Sequence, residues 1–192
     1  NKFECGFTNL CEAFFLYNNN LGVYQMKKIL PFLTIVIIIA VIVIIFLSMS
    51  NKKQMVVIHE GNHTHQPVNI KHDHFQDTQC GMTITQDDNS AQAVSPDGKT
   101  WFFDDVGCLV LWYNNIKFKE KATLWVFSND TKEYINAREA WYSRTERTPM
   151  GYGFGAYKEK QEKFIGFEEV VLKMIRGENL TNPYIRKELV GK

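Results

Sequence analysis

One uninterrupted apolar run constrains this chain more than any other feature. The 19 residues from Ile29 to Leu47 contain no charged side chain. As a helix, the segment Leu30 to Ser48 would span about 28 Å at ~1.5 Å per residue, close to the ~30 Å hydrocarbon thickness of a bilayer. A cleaved signal peptide has a shorter apolar core, of ~7 to 15 residues. We therefore predict an uncleaved signal anchor, a single transmembrane helix within residues 26–50.

The segment before this run has the features of an upstream extension. The first methionine, Met26, is followed at once by Lys27, Lys28 and the apolar run, which is how a signal or anchor normally starts. We expect residues 1–25 to be either an extension that the mature protein lacks or a short cytoplasmic tail. Because lysines flank the run on both sides, the positive charges do not orient the helix.

The charge balance excludes one broad class of partner. The chain has 22 basic and 21 acidic side chains, and its formal net charge is +1. Sequence-independent binding to nucleic acid depends on clustered, excess Lys and Arg that release counterions from the phosphates. We therefore expect no nucleic-acid partner.

All five histidines lie in one stretch that follows the apolar run. They fall within 16 residues, inside a segment, residues 51–79, that lacks helical or strand periodicity and that we predict to be a flexible tether. Histidines spaced by two would project from the same side of an extended chain, where they bind Cu(II) or Zn(II) loosely. A polar linker that is merely rich in histidine is the alternative. The histidines are His59, His63, His65, His72 and His74.

From Cys80 to Lys192 the pattern of turn and apolar residues predicts an α+β domain. Short strands precede a helix with one apolar stripe, and the same plan then occurs a second time. We therefore expect two related halves of mostly antiparallel strands, each covered by one helix. The predicted strands are Met82–Thr85, Ala91–Val94, Thr100–Phe103, Ala122–Phe127, Glu133–Ile135, Glu139–Ser143 and Phe154–Tyr157. The helices are expected after Asp104 or Asp105 and from Phe167, and residues 181–192 are expected to form a frayed tail.

Two short motifs carry the candidate chemistry of this domain. In Cys80-Gly81-Met82 a thiol and a thioether stand two residues apart, so both sulfurs face the same way on an extended strand. In Thr148-Pro149-Met150-Gly151 a methionine stands in a turn, where it presents its thioether. Soft sulfur donors select Cu(I), whereas structural zinc would require four Cys or His ligands. The alternative is that the methionines merely fill the core.

Three separated blocks of the sequence resemble the NosL proteins, accessory copper chaperones of nitrous oxide reductase. The blocks stand in the order found in that family, within roughly residues 77–177. They are DTQCGMTI, GKTWFFDDVGCLVLWY and NDTKEYINAREAWYSRTERTPMGYGFGAY. The resemblance implies an extracytoplasmic protein that binds one Cu(I) and delivers copper for the copper-sulfur cluster of the reductase. It also implies a fold of two related halves, similar to that of organomercurial lyase.

Carried over residue by residue, the resemblance implies a metal site and a cellular location. Cys80 and Met150 match the Cu(I) ligands of the family, and Met82 matches the second position of its CxM motif. The implied partners are apo nitrous oxide reductase and its membrane copper-assembly complex. Many family members are lipoproteins, whereas this chain has no lipid-accepting Cys after its apolar run. We expect the transmembrane helix to replace the lipid in a single-pass protein of the inner (cytoplasmic) membrane, with its domain on the periplasmic side.

The histidines and Cys108 are not part of the motif that defines this resemblance. His72 and His74, the histidines nearest to Cys80 in sequence, are candidates to complete or feed the Cu(I) site. Cys108 is expected to be a small buried residue of the first helix, with a disulfide to Cys80 outside the cell as the alternative. The auxiliary metal-binding candidates are His59, His63 and His65.

The sequence favours a binding protein over an enzyme. No histidine follows Cys80, so Cys-His and Ser-His-Asp arrangements would lack their base. The glycines of Gly151–Gly155 follow no apolar parallel strand and precede no Lys-Ser/Thr pair, as those of a phosphate loop would. Three functions stay open at this point: a Cu(I) chaperone, a membrane-tethered metal sensor or scavenger that uses the histidines, and a non-metal scaffold of an assembly complex.

Overall fold

The computed structural model describes residues 31–48 and 55–191. They belong to two separate units, and the chain divides between Lys53 and Gln54. In the first unit, helix α1 (Pro31–Ser48) is 18 residues long and carries exposed apolar side chains. Its length and composition suffice to cross a membrane, which confirms the predicted apolar helix. Residues 1–25, predicted to be an extension or a tail, lie outside the described residues.

The second unit is an α+β domain with antiparallel sheets, and this confirms the predicted class. The strands of its larger sheet are β1 (Ile58–His59), β2 (Ala91–Val94), β3 (Thr100–Phe103), β4 (Thr123–Phe127) and β5 (Tyr134–Asn136). Their order across the sheet is β1-β3-β2-β4-β5. Every neighbouring pair is antiparallel.

A smaller sheet and three helices complete this unit. Its strands are β6 (Trp141–Ser143), β7 (Gly155–Tyr157) and β8 (Ile165–Gly166), in the antiparallel order β7-β6-β8. The helices are α2 (Val106–Asn115), α3 (Phe167–Ile175) and α4 (Pro183–Val190). Helix α2 packs on β2 and β3, α3 packs on β6 and β8, and the two helices contact each other. The main core lies between these two helices and the sheets.

Each sheet is thus covered by one helix, but the sheets do not follow the two predicted halves of the sequence. Strands β4 and β5, which belong to the second predicted half, complete the larger sheet. Strand β4 pairs with the whole length of β2, from Ala91 opposite Val126 to Val94 opposite Thr123. The relation between two halves therefore stays a prediction.

Local sequence signals explain where α2 begins and which face it buries. Asp105 caps the helix: its side chain accepts a hydrogen bond from the backbone N–H of Gly107 at 2.7 Å. Asp is a preferred residue at this position because its oxygen satisfies an N–H that has no partner within the helix. The predicted apolar stripe is buried as a whole. It consists of Val106, Leu109, Val110 and Tyr113.

Residues 55–79, the described part of the predicted flexible tether (residues 51–79), pack against the rest of the domain. These residues belong to the same unit as the rest of the domain. The amide of Gln92 donates to Val68 O at 2.7 Å and its oxygen accepts from Val68 N at 2.8 Å. Ile70 and Phe75 are buried in a second apolar cluster. A segment without periodicity is ordered here because distant residues satisfy its backbone groups and cover its few apolar side chains.

Two further elements differ from prediction. The predicted strand Met82–Thr85 forms only one bridge, between Thr83 and Gln76. The predicted frayed tail is helix α4, whose N-cap Asn182 accepts a hydrogen bond from Tyr184 N at 3.0 Å. Pro183 at the first position and Gly191, with a φ of 73°, complete the end signals. None of its side chains is buried, so its ends rather than a buried face define this helix.

Candidate metal-binding site

A buried carboxylate holds the loop that carries Cys80. Asp77 is 1% exposed. Its Oδ1 accepts hydrogen bonds from the backbone N–H groups of Gln79 and Cys80, at 2.6 and 2.9 Å, and its Oδ2 accepts one from Asp104 N at 2.8 Å. Asp side chains stabilise turns in this way. Asp77 therefore joins the Cys80 loop to the residue that follows β3.

Four side chains with metal-ligating atoms converge at this junction. The oxygen and sulfur atoms offered by Asp77, Cys80, Asp104 and Cys108 all lie within 4.8 Å of one another. The Cys80 thiol donates to Asp104 Oδ1, with 3.7 Å between sulfur and oxygen, and Met82 N donates to the Cys80 sulfur at 3.5 Å. We call these four residues the Cys–Asp cluster. Its members come from the Cys80 loop, the end of β3 and the first turn of α2.

The surroundings of the cluster disfavour negative charge. Burial raises the pKa of the Cys80 thiol to about 11, and the carboxylates of Asp77 and Asp104 act in the same direction. Burial raises the pKa of Cys108 further still. The pKa of Asp104 rises to about 7, because of burial and then because of its hydrogen bond with Asp77. A bound cation would reverse this, since it lowers the pKa of the groups that coordinate it.

Within the part of the chain that the structure describes, no basic side chain forms an ion pair with these acids. Among the described residues, the ion pairs all involve other carboxylates than those of Asp77, Asp104 and Asp105. Asp105 is fully buried, and burial raises its pKa as well. The cluster is thus a buried group of acids and thiols next to a helix N-terminus, without a side-chain counterion.

The two predicted thioether segments lie at the rim of this cluster. Met82, with 44% of its surface exposed, lines a pocket of about 220 Å³ together with Asp104 and Pro149. The next residue, Met150, donates its backbone N–H to Asp105 Oδ2 at 3.0 Å. Its side chain is partly buried and packs against the main core. Adjacent aspartates thus receive the two sulfur-bearing segments: Asp104 the Cys80 loop and Asp105 the Met150 turn.

A close approach between α2 and the Met150 turn requires a glycine. A methyl group on Gly107 would lie 2.3 Å from a ring carbon of Tyr152, which is shorter than any real contact. The ring of Tyr152 therefore lies directly on the first turn of α2. Burial is the main reason that the pKa of the Tyr152 hydroxyl is raised, and the nearby Cys108 and Asp105 raise it further. This contact holds the turn of Met150 beside the helix residue Cys108.

Cys108 is buried, as predicted, with 1% of its surface exposed. It is nonetheless more than a filler of the core, since its sulfur belongs to the cluster. Cys80 and Cys108 are both free thiols in this structure. The alternative of a disulfide between them stays a prediction.

The first three histidines lie in the first part of the segment that was predicted to be a tether. His59 is exposed in β1. His63 lies beside Gly98, in the turn between β2 and β3. The backbone carbonyl of His65 accepts a hydrogen bond from the indole N–H of Trp125 at 2.9 Å. His59 is thus exposed, and His63 and His65 have different neighbours, Gly98 and Trp125. The structure does not gather these three imidazoles into one site.

The two histidines nearest to Cys80 in sequence are exposed as well. His72 Nε2 lies 3.3 Å from Asp87 Oδ1. The carbonyl of His74 accepts a hydrogen bond from Val56 N at 2.8 Å. Within residues 31–48 and 55–191, the one group of three or more His, Cys, Asp or Glu side chains arranged for a metal contains no histidine.

Sequence reasoning identified Cys80 but not the three residues that surround its sulfur. Asp77 was not singled out, Asp104 was interpreted as an alternative helix cap, and Cys108 as a core residue or a disulfide partner. The signal lay in the pair Asp104-Asp105. Only one of two adjacent residues can cap a helix, and since Asp105 does so, Asp104 is left to face the Cys80 loop.

Comparison with known proteins adds no family assignment. Neither a protein-family model nor a curated protein matches the chain. We therefore infer the function of the chain from the residues described above.

Proposed function

We propose that this chain is a membrane-anchored, extracytoplasmic metallochaperone of the NosL kind, which binds one Cu(I) through Cys80, Met82 and Met150. It would deliver copper for the copper-sulfur cluster of nitrous oxide reductase. One observation supports this most: the Cys80 loop and the Met150 turn meet at the adjacent residues Asp104 and Asp105.

The donor atoms favour Cu(I) over harder cations. Thiolate and thioether sulfurs are soft ligands, which select Cu(I), whereas Mg²⁺ and Ca²⁺ prefer oxygen. Asp77 offers a metal little, because both of its oxygens already accept backbone hydrogen bonds. The available donors at this place are therefore sulfurs, with Asp104, which accepts from the Cys80 thiol, as the remaining carboxylate of the cluster.

A chaperone must also release its cargo, and the exposure of the sulfurs suits that requirement. Cys80 is partly exposed and Met82 is exposed. A thioether carries no charge and binds no proton at neutral pH, so it exchanges without a protonation step. An incoming thiol or thioether of a partner can reach the copper from the side of Met82.

Location and partners follow from the anchor and from the resemblance together. Helix α1 supports attachment to a membrane. The NosL resemblance supports the finer proposals: a single-pass protein of the inner membrane, a domain on the periplasmic side, and apo nitrous oxide reductase with its copper-assembly complex as partners. It also supports the proposal that the domain derives from two related halves. We propose a binding protein without enzymatic activity.

Competitive titration of the full chain with Cu(I) tests the proposal. The chain would be purified in detergent with Cys5→Ser and Cys11→Ser, so that Cys80 and Cys108 are its remaining cysteines. A chromophoric Cu(I) chelator serves as the competitor under anaerobic, reducing conditions. We expect one Cu(I) per chain, and a loss of affinity of at least about tenfold in Cys80→Ser and Met150→Ala, since even groups that merely support a ligand contribute 10–100-fold.

A methionine outside the proposed site provides the matched control. Met174 is a buried residue of α3, so Met174→Ala is expected to lower stability and leave Cu(I) affinity unchanged. If Cys80→Ser and Met150→Ala bind like the parent, the chaperone proposal fails. Loss of binding only when the five histidines are replaced by alanine would indicate the sensor or scavenger, and no binding by any form would indicate the scaffold.

A further inference from the structure

The position of Cys108 suggests that the copper site has an inner ligand. Its sulfur belongs to the Cys–Asp cluster, within 4.8 Å of the Cys80 sulfur. It lies in the first turn of α2, one turn after Asp104. The NosL resemblance gives this residue no part in metal binding.

We propose that Cys108 is a second thiolate ligand of Cu(I), so that copper is held between the sulfurs of Cys80 and Cys108, with Met82 and Met150 as outer ligands for exchange. The inference rests on the proposed function and adds to it a ligand and a direction of transfer. Binding is a ligand exchange without redox change: Cu(I) stays Cu(I), and each thiol loses its proton to solvent as its sulfur bonds to the metal.

The sulfurs of Cys80 and Cys108 are close enough to share one ion, since at most 4.8 Å separates them. With a metal–sulfur bond of about 2.3 Å, the value for zinc, two sulfurs on opposite sides of an ion lie about 4.6 Å apart. The sulfurs of Cys80 and Cys108 therefore need little movement to share one ion. Two thiolates are also a donor set that Cu(I) prefers over oxygen.

The donor atoms explain why the ion would be Cu(I) rather than Zn²⁺. A closed zinc site needs four ligands, and an open one needs three plus a water molecule. Asp77 is committed to three backbone N–H groups, which leaves Asp104 and the two sulfurs. Cys108 lies inside the core, with Leu109 and Val110 beside it in the same buried cluster. Two thiolates with Met82 and Met150 as further donors form a set of sulfurs alone, which suits Cu(I), whereas zinc takes Cys, His or carboxylate ligands.

The proposed ligands differ in their exposure to solvent, so the site has a buried end and an exposed end. Cys108 is 1% exposed, Cys80 is partly exposed and Met82 is 44% exposed. Cys80 would be a ligand in both positions of the ion, beside Cys108 and beside the two methionines. Copper held by the two thiolates would be retained, and a shift toward Met82 and Met150 would present it to a partner while Cys80 stays bound.

The test is a comparison of Cys108→Ala with Val110→Ala in the full chain that carries Cys5→Ser and Cys11→Ser. Both substitutions remove atoms from the buried face of α2. We expect Cys108→Ala to weaken Cu(I) binding at least about tenfold, the low end of what even a group supporting a ligand contributes, and Val110→Ala to leave it unchanged. Circular dichroism checks that both variants fold.

Counting protons gives a readout that a purely structural Cys108 would not change. Each thiol that becomes a ligand releases one proton. Cu(I) would be added from its chelator complex in weakly buffered solution with a pH indicator. We expect Cys108→Ala to release one proton fewer per Cu(I) than the parent, and copper X-ray absorption to show one sulfur neighbour fewer.

The outcomes separate this inference from the proposed function. If Cys108→Ala binds Cu(I) as tightly as the parent with the same proton count, Cys108 is not a ligand, while Cu(I) binding through Cys80 stands. If the parent binds no Cu(I), the proposed function itself fails. Val110→Ala could weaken Cu(I) binding as much as Cys108→Ala does, while Cys108→Ala releases as many protons per Cu(I) as the parent. In that case packing rather than ligation explains the effect, and the inference is overturned.

Discussion

At the scale of single residues, three aspartates divide the construction of the site between them. Asp77 closes the Cys80 loop, Asp104 accepts from the Cys80 thiol, and Asp105 caps α2 and holds the Met150 turn. Each is buried. Buried carboxyl groups are costly unless they are hydrogen-bonded, and the hydrogen bonds that satisfy these three also fix the two segments that carry the sulfurs.

Removing the Asp77 side chain is expected to destabilise the domain strongly. Asp77→Ala leaves the N–H groups of Gln79, Cys80 and Asp104 without their acceptor. We expect the free energy of unfolding to fall by about 2–4 kcal/mol, since each unsatisfied buried donor costs about 1–3 kcal/mol and such losses are not additive. Urea unfolding followed by tryptophan fluorescence measures this, because all four tryptophans lie between residues 101 and 141.

An exposed acid serves as the control for this substitution. Glu120 is exposed in the short 3₁₀ turn Lys119–Lys121, and Glu120→Ala is expected to change the free energy of unfolding by less than about 0.5 kcal/mol. Equal effects of the two substitutions would contradict the structural part assigned to Asp77.

Asp104 is expected to make the metal-free domain less stable as the pH rises. Its pKa in the folded state is raised to about 7, above the ordinary value of about 3.9 for an unfolded chain. The stability that the protonated Asp104 carboxyl gives the folded domain is therefore fully present below pH ~4 and is lost as the pH rises toward ~7. We expect Asp104→Asn to remove about 1–2 kcal/mol of this loss, a value reduced for partial solvent screening. Urea unfolding at several pH values, with metals chelated, compares the two proteins; parallel pH profiles would contradict the prediction.

At the scale of elements, the first turn of α2 brings the site together. It carries the cap Asp105 and the thiol of Cys108, and the ring of Tyr152 lies against its Gly107. The helix N-terminus also faces a cluster of acids and thiols, where its partial positive charge is favourable. Any change that moves this turn should therefore disturb both sulfur segments at once.

Gly107→Ala is expected to destabilise the domain and weaken Cu(I) binding. The new methyl group would overlap the Tyr152 ring, and forced repacking of this kind typically costs 1–3 kcal/mol. Gly166→Ala is the matched control, because nothing lies within 4 Å of a methyl group at that position. Unfolding curves and Cu(I) competition measure both effects. A Gly107→Ala variant as stable as Gly166→Ala would show that the ring does not lie where the structure has it.

Elements with strong local signals could be predicted from the sequence. Strands β2 and β3 are flanked by turn residues and were predicted with their observed bounds, and α2 was predicted from its cap and its stripe. Helix α4 was missed although its signals are present, since Asn182-Pro183 and Gly191 are the end signals of a helix. Its weak apolar stripe made it resemble a tail.

What the sequence could not predict depends on contacts between distant residues. The pairing of β1 with β3 and the exchange of hydrogen bonds between Val68 and Gln92 join residues far apart in the chain. The same holds for the site, where Asp77 and Asp104 meet across 27 positions. Periodicity and turn chemistry describe neighbours in sequence, so they predicted the sulfurs of the site but not the acids and the inner thiol around them.

At the scale of the whole molecule, the chain combines an apolar helix with a folded domain that carries the candidate site. Helix α1 is long and apolar enough to cross a membrane. We expect the full chain to stay with the membrane fraction after an alkaline carbonate wash, and a variant that lacks residues 31–48 to be released. The cause is the cost of exposing such an apolar segment to water. Release of the full chain by carbonate would contradict a membrane-spanning anchor.

We propose that copper reaches nitrous oxide reductase through Cys80 of this protein. The most direct test measures the copper content of the reductase purified from its host after the natural gene is replaced by the Cys80→Ser form, with the Glu120→Ala form as control. The account predicts that the reductase loses copper from its copper-sulfur cluster with Cys80→Ser and keeps its full complement with Glu120→Ala. A full copper complement with Cys80→Ser, at equal levels of the protein, would contradict it.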